Sequence, residues 1–379
     1  MSLRWARASG AGPAWFAARV LGISGLVAGL LFPAAAAPAR SLPCQSWGAQ
    51  PPLVGTSTAL GGIAAGGACD VWVVGSANGG SLTTIQHWDG VRWTTLPSPS
   101  PGAVLNSLWG VAVVSANDAW SVGSYRQITT DEPLIEHWNG HTWSVTPSPT
   151  IEGSLLAVVA FGHHDAWAVG TAGSSATARP LILHWNGRRW KVQATPNVGA
   201  GYAFLGGVGG TGPRDLWAVG SHRNDDRTLA LHWNGRRWTV VPSPSPDPDG
   251  VLGSVSAVAP DDVWAVGSHG PVIHPLVEHW NGHRWTVRHS PNLGPFKTDL
   301  AAVSMTSAED GWAVGYRDVG TQIQNVVEHW NGHAWSIVPT PTFGMQSVLS
   351  GVVAVSPQRI WTAGSFIGSA TYPLVLGCC

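Results

Sequence analysis

The chain has 379 residues, among them 48 Gly, 28 Pro and 23 Trp, while charged residues make up only 11% of it, far below the roughly 25% of an average soluble domain. Gly and Pro together stay under the ~25–30% that marks a disordered chain, and a hydrophobic content of 44% suffices for a large core. With 20 basic against 21 acidic residues, and only two of the basic residues Lys, the chain lacks the electrostatic footprint that DNA or RNA binding requires.

Residues 1–39 read as a secretory signal peptide. Arg4, Arg7 and Arg19 precede an uncharged apolar run from Val20 to Phe32, and small residues Ala34 to Ala37 with Pro38-Ala39 follow, which is the charged, apolar and small-residue order of a cleaved leader. The run is shorter than the ~20 residues of a spanning helix, so no membrane span is expected after cleavage. Cutting after Ala39 removes three arginines and no acid, leaving a mildly acidic, secreted or extracytoplasmic chain. Cys44 is close enough for a lipoprotein cysteine, but Pro43 before it and Arg40 spoil that pattern.

From residue 40 onward the chain repeats. An acidic or polar turn followed by Trp recurs at Trp72, Trp120, Trp167, Trp217, Trp264, Trp312 and Trp361, 47 to 50 residues apart. That period fits four-stranded propeller blades, and each unit reads as four short strands. In the second unit these are Gly110 to Val114, Trp120 to Ser124, Leu134 to Gly140, and Trp143 to Pro147. Between the third and fourth strands stands Asn-Gly at Asn139, Asn186, Asn234, Asn281 and Asn331, with Asp89-Gly90 in the first unit; the pair suits a two-residue type I′ hairpin. Such a turn would pair Trp138 with His141 and pack Trp138 and Trp143 together against the next blade. Pro147-Ser148-Pro149 and its counterparts end the outer strand, because Pro lacks an amide donor.

The termini set the blade count. After Trp361 the chain has a second and a third strand but no fourth, and the fourth is found near the start, where Trp47 is followed by Pro51 with the spacing of Trp143 and Pro147. The expected fold is therefore an all-β, seven-bladed β-propeller of four-stranded antiparallel blades over residues 40–379, its last blade closed by the N-terminal strand. In this register Cys378 replaces the hairpin Trp and Cys44 the hairpin Gly, so a disulfide from Cys44 to Cys378 or Cys379 would seal the ring. Cys69, in the first inner turn on the same face, would take the remaining cysteine and pair all four in an oxidising compartment.

The order of aromatic residue, Val-Gly-Ser, aromatic hairpin, Trp and Pro-Ser-Pro resembles the kelch repeat of galactose-oxidase-type propellers over about residues 45 to 379. Gly-Ser at Gly123, Gly220 and Gly267 stands where kelch repeats have a glycine doublet, and Trp often replaces Tyr. The copper chemistry of that superfamily implies a Tyr–Cys cross-link and His ligands; the chain has four Tyr, and its cysteines belong to the closure, so no cofactor is expected. The Gly-His and Trp-Asp pairs of WD-type propellers are absent from their usual places.

Repetition separates scaffold from function. His87, His137, His184, His232, His279 and His329 precede the hairpin Trp blade by blade and cannot converge, and Asp70, Asp118, Asp165, Asp215, Asp262 and Asp310 are expected to bond turn amides, an indole N–H or these histidines. The repeat-position Trp residues are read as packing, the rival reading being a lectin ring with a sugar site per blade. Function is expected where the blades disagree. Five residues after each repeat Trp come Ala77, Tyr125, Ala172, His222, His269, Arg317 and Phe366, with Arg126, Arg223 and Asp318 next in line. The candidate ligand-binding set is accordingly Tyr125, Arg126, His222, Arg223, His269, Arg317, Asp318 and Phe366, on the face of the b–c and d–a loops. His222 and His269 with Asp225 and Asp226 match no known metal-ligand spacing, and the segment at Asp247 lacks the closing Glu of a calcium loop; no metal is expected. The leading expectation is a monomeric, non-enzymatic binding or scaffold module for a glycan or another protein. The alternative is a hydrolase or lyase on polysaccharide, which needs two convergent carboxylates, and the loop acids Asp131, Glu132, Asp225, Asp226 and Asp318 are spread over three blades.

Overall fold

A computed structural model describes residues 47–49, 57–173, 178–199, 201–222, 227–247, 249–291 and 293–378; the leader, Cys44, Arg223, Asp225, Asp226 and Cys379 lie outside them. Apart from one 3-10 turn at Asn78–Gly80, every regular element is a strand. The second blade shows how each forms. Its strand a, Leu105–Ser115, pairs with strand b, Asp118–Arg126, which pairs with strand c, Asp131–Trp138, and then with strand d, Trp143–Val145. Strand b is buried on both faces over most of its length, because a neighbouring blade covers each face, and it therefore reads as a near-continuous apolar and small-residue run.

Five such sheets are separate, while blades 6 and 7 join through one parallel bridge, Ile323 to Gln346. The seventh blade takes strands Gln346–Ser356, Arg359–Ile367 and Thr371–Cys378 from the C-terminal end and Trp47–Ala49 from the N-terminal end. Trp47 stands opposite Cys378 just as Trp143 stands opposite Trp138. The molecule is a seven-bladed β-propeller closed by its N-terminal strand.

Each strand a carries a bulge facing the axis, as between Leu108 and Gly110. This bulge explains the repeated Val-Gly of strand b. A Cβ on Gly123 would stand 1.9 Å from the Ser107 carbonyl oxygen, and the equivalent glycines of the other six blades show 1.9 or 2.0 Å. No side chain fits there, so the glycine is a steric requirement of every blade.

The indoles form the seams. Trp120 of blade 2 packs at 5.0 Å on Trp185 and 5.2 Å on Trp190 of blade 3. The same triad recurs around the ring and closes it where Trp361 meets Trp88 at 5.5 Å and Trp93 at 5.8 Å. Between blades 6 and 7 the hairpin Trp is replaced by Cys378, and Trp312 meets Trp47 alone, edge-on at 5.8 Å. The hairpin indoles thus pack against the preceding blade, not the following one. The hairpin itself is also longer than a two-residue turn: Trp138 faces Trp143 directly, and Asn139 Oδ1 closes a four-residue loop by accepting the amides of His141 at 3.0 Å and Thr142 at 2.9 Å. Gly140 supplies the φ of +91° that this loop demands.

Six blades share a polar clasp. His137 Nε2 meets Asp118 Oδ1 at 2.7 Å while its ring lies 4.2 Å from Trp120; in blades 1, 3 and 5 the same carboxylate also accepts the indole N–H. These histidines and aspartates are scaffold, as their repetition implies. Blade 7 has Gly377 opposite Trp361 and no clasp. Cys69 is a free, exposed thiol, which corrects the expectation that all four cysteines pair. It packs over its own blade's hairpin, its Cβ 2.7 Å from where a Cβ on Gly90 would stand. Cys378 is disulfide-bonded, and both Cys44 and Cys379 lie outside the described residues.

Candidate binding face and channel

The ends of the b strands bring the candidate residues to one face, and the structure then occupies them locally. The Tyr125 hydroxyl donates to Glu132 Oε2 at 2.7 Å, and that carboxylate raises the phenol's pKa. Arg126 forks onto Asp131 at 2.8 and 2.9 Å. His269 Nδ1 meets Asp247 Oδ2 at 3.1 Å. Arg317 donates to the Leu293 carbonyl at 3.3 Å and to Gln324 Oε1 at 3.1 Å, with its guanidinium 5.7 Å over Phe296. Asp318 Oδ1 accepts the Gly320 amide at 2.8 Å, Phe366 stacks on Tyr372 at 5.2 Å, and the His222 ring lies against Gly199. Arg223 is outside the described residues. Each of the partners of Tyr125, Arg126, His269, Arg317, Asp318 and Phe366 belongs to that residue's own b–c hairpin or to an adjoining linker. These residues share a face but do not converge on one point.

Convergence occurs at the axis, where the seven a strands enclose a channel cavity of about 320 Å³. The bulge places one residue per blade on its wall: Gly61, Trp109, Leu156, Gly206, Gly253, Ala301 and Ser350. Five are small. Trp109 is not, and it is 45% exposed, whereas the strand-b indoles are buried. It leans on the neighbouring blade, its Cε3 3.3 Å from where a Cβ on Gly61 would stand, so glycine at 61 lets the indole lie along the wall. The sequence signal was available: among the Trp residues beyond the leader, Trp109 alone falls outside the repeat.

Two further groups were not singled out from sequence. Asp299 occupies strand a of blade 6, opposite Tyr316; burial pushes its pKa up against a hydrogen bond from Ser268 of blade 5. Burial also raises the Tyr316 phenol, with Asp299 and Asp318 adding to the shift. In strand c, Glu136, Glu278 and Glu328 are fully buried where blades 3, 4 and 7 have Leu183, Leu231 and Leu376. Each accepts a linker serine hydroxyl from the preceding blade, Ser98 at 3.0 Å, Ser243 at 2.9 Å and Ser290 at 2.8 Å. Burial pushes these carboxyls to about 8, about 8 and about 7. They sit in separate blades and tie seams together. Among the described residues no three of His, Cys, Asp and Glu stand close enough to share a metal ion, and no helix is long and apolar enough to cross a membrane.

Fold and channel define the class of protein as a β-propeller, and comparison with solved structures agrees. The chain is similar to YCF48 bound to D1 peptide, with 15% identity over 90% of this chain and all of that one at a TM-score of 0.57. It is similar also to the WD40 propeller domain of Doa1, with 12% identity over 87% and 96% at 0.55, and to a GH74 xyloglucanase from Xanthomonas campestris, with 12% identity over 84% and 53% at 0.57. At these identities the likeness is one of fold alone. No protein-family profile matches the chain, and no curated protein does.

Proposed function

We propose that the chain is an extracytoplasmic, non-enzymatic binding or scaffold propeller with kelch-like repeats, acting as a monomer without a cofactor, whose ligand is a glycan or another protein. The observation that carries this reading is Trp109, half-exposed on the channel wall and nearer the b–c and d–a loops than the opposite face by its place in strand a. An indole face accepts a sugar ring or an apolar side chain equally well. The candidate residues around the rim, from Tyr125 to Phe366, would then select among ligands that reach it. The leader supports the extracytoplasmic placement, and the peptide on YCF48 makes a polypeptide ligand reasonable for this architecture. The test is a glycan array and a peptide library run beside a glycosidase panel. Trp109→Ala is expected to weaken the ligand found by about tenfold at an unchanged melting temperature. Binding indifferent to Trp109→Ala would end this reading.

A second reading, a polysaccharide hydrolase or lyase, has one observation in its favour. Asp299 and Asp318 both act on Tyr316 in blade 6, and a carboxyl whose pKa is raised by burial suits a general acid. Turnover of any polysaccharide by the wild-type chain that vanishes in Asp299→Asn would establish it.

A further inference from the structure

On the face opposite the candidate rim, the tips of the c–d hairpins are not alike. After the hairpin glycine come Val91-Arg92, His141-Thr142, Arg188-Arg189, Arg236-Arg237, His283-Arg284 and His333-Ala334. Blades 3 and 4 therefore present four exposed arginines side by side on the ring, and the exposed Arg214 adds a fifth, its Cβ 3.1 Å from where a Cβ on Gly235 would stand. Their backbone is held rigidly: Asn186 Oδ1 accepts the amides of Arg188 and Arg189 at 3.2 and 3.1 Å, and Asn234 Oδ1 those of Arg236 and Arg237 at 3.1 Å each.

None of these five guanidinium groups has an ion-pair partner among the described residues. The acids at this end of the two blades are already used, Asp165 by His184 at 3.1 Å and Trp167 at 2.8 Å, Asp215 by His232 at 2.7 Å and Thr211 at 2.5 Å. On blades 1, 5 and 6 an acid accompanies the hairpin, Asp89 beside Arg92 at 4.0 Å, Asp261 against Gly282, and Glu309 against Gly332, while blade 2 has Asn117 against Gly140 and no arginine there. On a chain with a net charge of −1, five unneutralised arginines gathered on two adjacent blades are a local feature that general basicity does not explain.

We propose that this strip, Arg188, Arg189, Arg236 and Arg237 with Arg214, docks an acidic polypeptide segment, independently of whatever binds at the channel. Guanidinium forks match carboxylates two hydrogen bonds at a time. Single exposed pairs are weak, so affinity comes from several of them acting on one extended partner, and salt screens the sum. The shape favours a polypeptide over a membrane: a planar anionic surface laid on this face would also press on the exposed Asp261 and Glu309 and on Asp89, whereas an extended chain can follow the strip and avoid them.

The probe is a fluorescein-labelled octaglutamate peptide, read by anisotropy on the full chain. Binding is expected at low salt and is lost as salt rises. Arg189→Ala/Arg236→Ala should weaken it about tenfold. Arg179→Ala/Arg227→Ala, which removes the same charge from the opposite end of the same blades, should leave it unchanged, as should Trp109→Ala. Equal loss from the two double variants overturns the proposal, as does no binding, or tighter binding to heparin, single-stranded DNA or phosphatidylserine vesicles than to the peptide.

Discussion

Glu136, Glu278 and Glu328 are buried carboxyls whose second oxygen finds no hydrogen-bond partner among the described residues, an arrangement that holds the proton on. Their pKa values in the fold, about 8, about 8 and about 7, lie above the ordinary 4.5. Between those values the folded chain binds more protons than the unfolded one, so the stability these sites allow is fully present below pH 4.5 and is lost as pH rises through 7 to 8. The slope is at most about 1.4 kcal/mol per pH unit for each group. Melting temperature is therefore expected to fall from pH 5 to pH 9, and Glu136→Gln/Glu278→Gln/Glu328→Gln should flatten the decline. A triple variant with the wild-type profile would mean that the carboxyls are solvated in the fold. Sequence could not single them out: Glu before His-Trp looks like one more polar strand residue, and only the covering blade makes it buried. The same holds for Asp299.

Strands and hairpins were far more legible, because the 47–50-residue period, the Asn-Gly pairs and the Trp positions all state the same unit. What sequence missed was register. Asn-Gly suits a two-residue and a four-residue connection alike, and the choice rests on whether Trp138 faces His141 or Trp143. Direct opposition brings both hairpin indoles onto the preceding blade's buried Trp, a gain in apolar contact that the shorter turn forgoes. Trp143 is accordingly a core residue, and Trp143→Ala should cost ~3–5 kcal/mol in denaturant unfolding. Trp47→Ala, at the seam where Cys378 stands in for an indole, should cost clearly less. Equal losses would show that the terminal seam is as tightly packed as the others. Sequence assigned the rim residues to the face of the b–c and d–a loops, but it could not show that Tyr125, Arg126 and His269 are engaged by Glu132, Asp131 and Asp247. Those partners lie in hairpins and linkers whose geometry is set only once the blade forms.

At the level of the whole molecule, ring closure rests, among the described residues, on Trp47 to Ala49 pairing with Leu376 to Cys378. This pairing joins segments far apart in the chain, and we expect Cys44 to reinforce it through a disulfide to Cys378. Non-reducing peptide mapping should recover the two in one linked fragment, and recovery of Cys44 as a free thiol would refute the pairing. The latch also imposes an order on biosynthesis. Of the propeller's own strands, the first to be made pairs with the last, and the interval between them at ordinary translation rates is on the order of tens of seconds. For most of that time blade 1 displays Trp88 and Trp93 with no Trp361 to cover them, and blade 6, once made, displays Trp312 until the seventh blade closes. The nascent chain thus carries two sticky ends that match each other and, equally, the ends of a second nascent copy, so the cell must keep neighbouring chains apart until each has closed on itself.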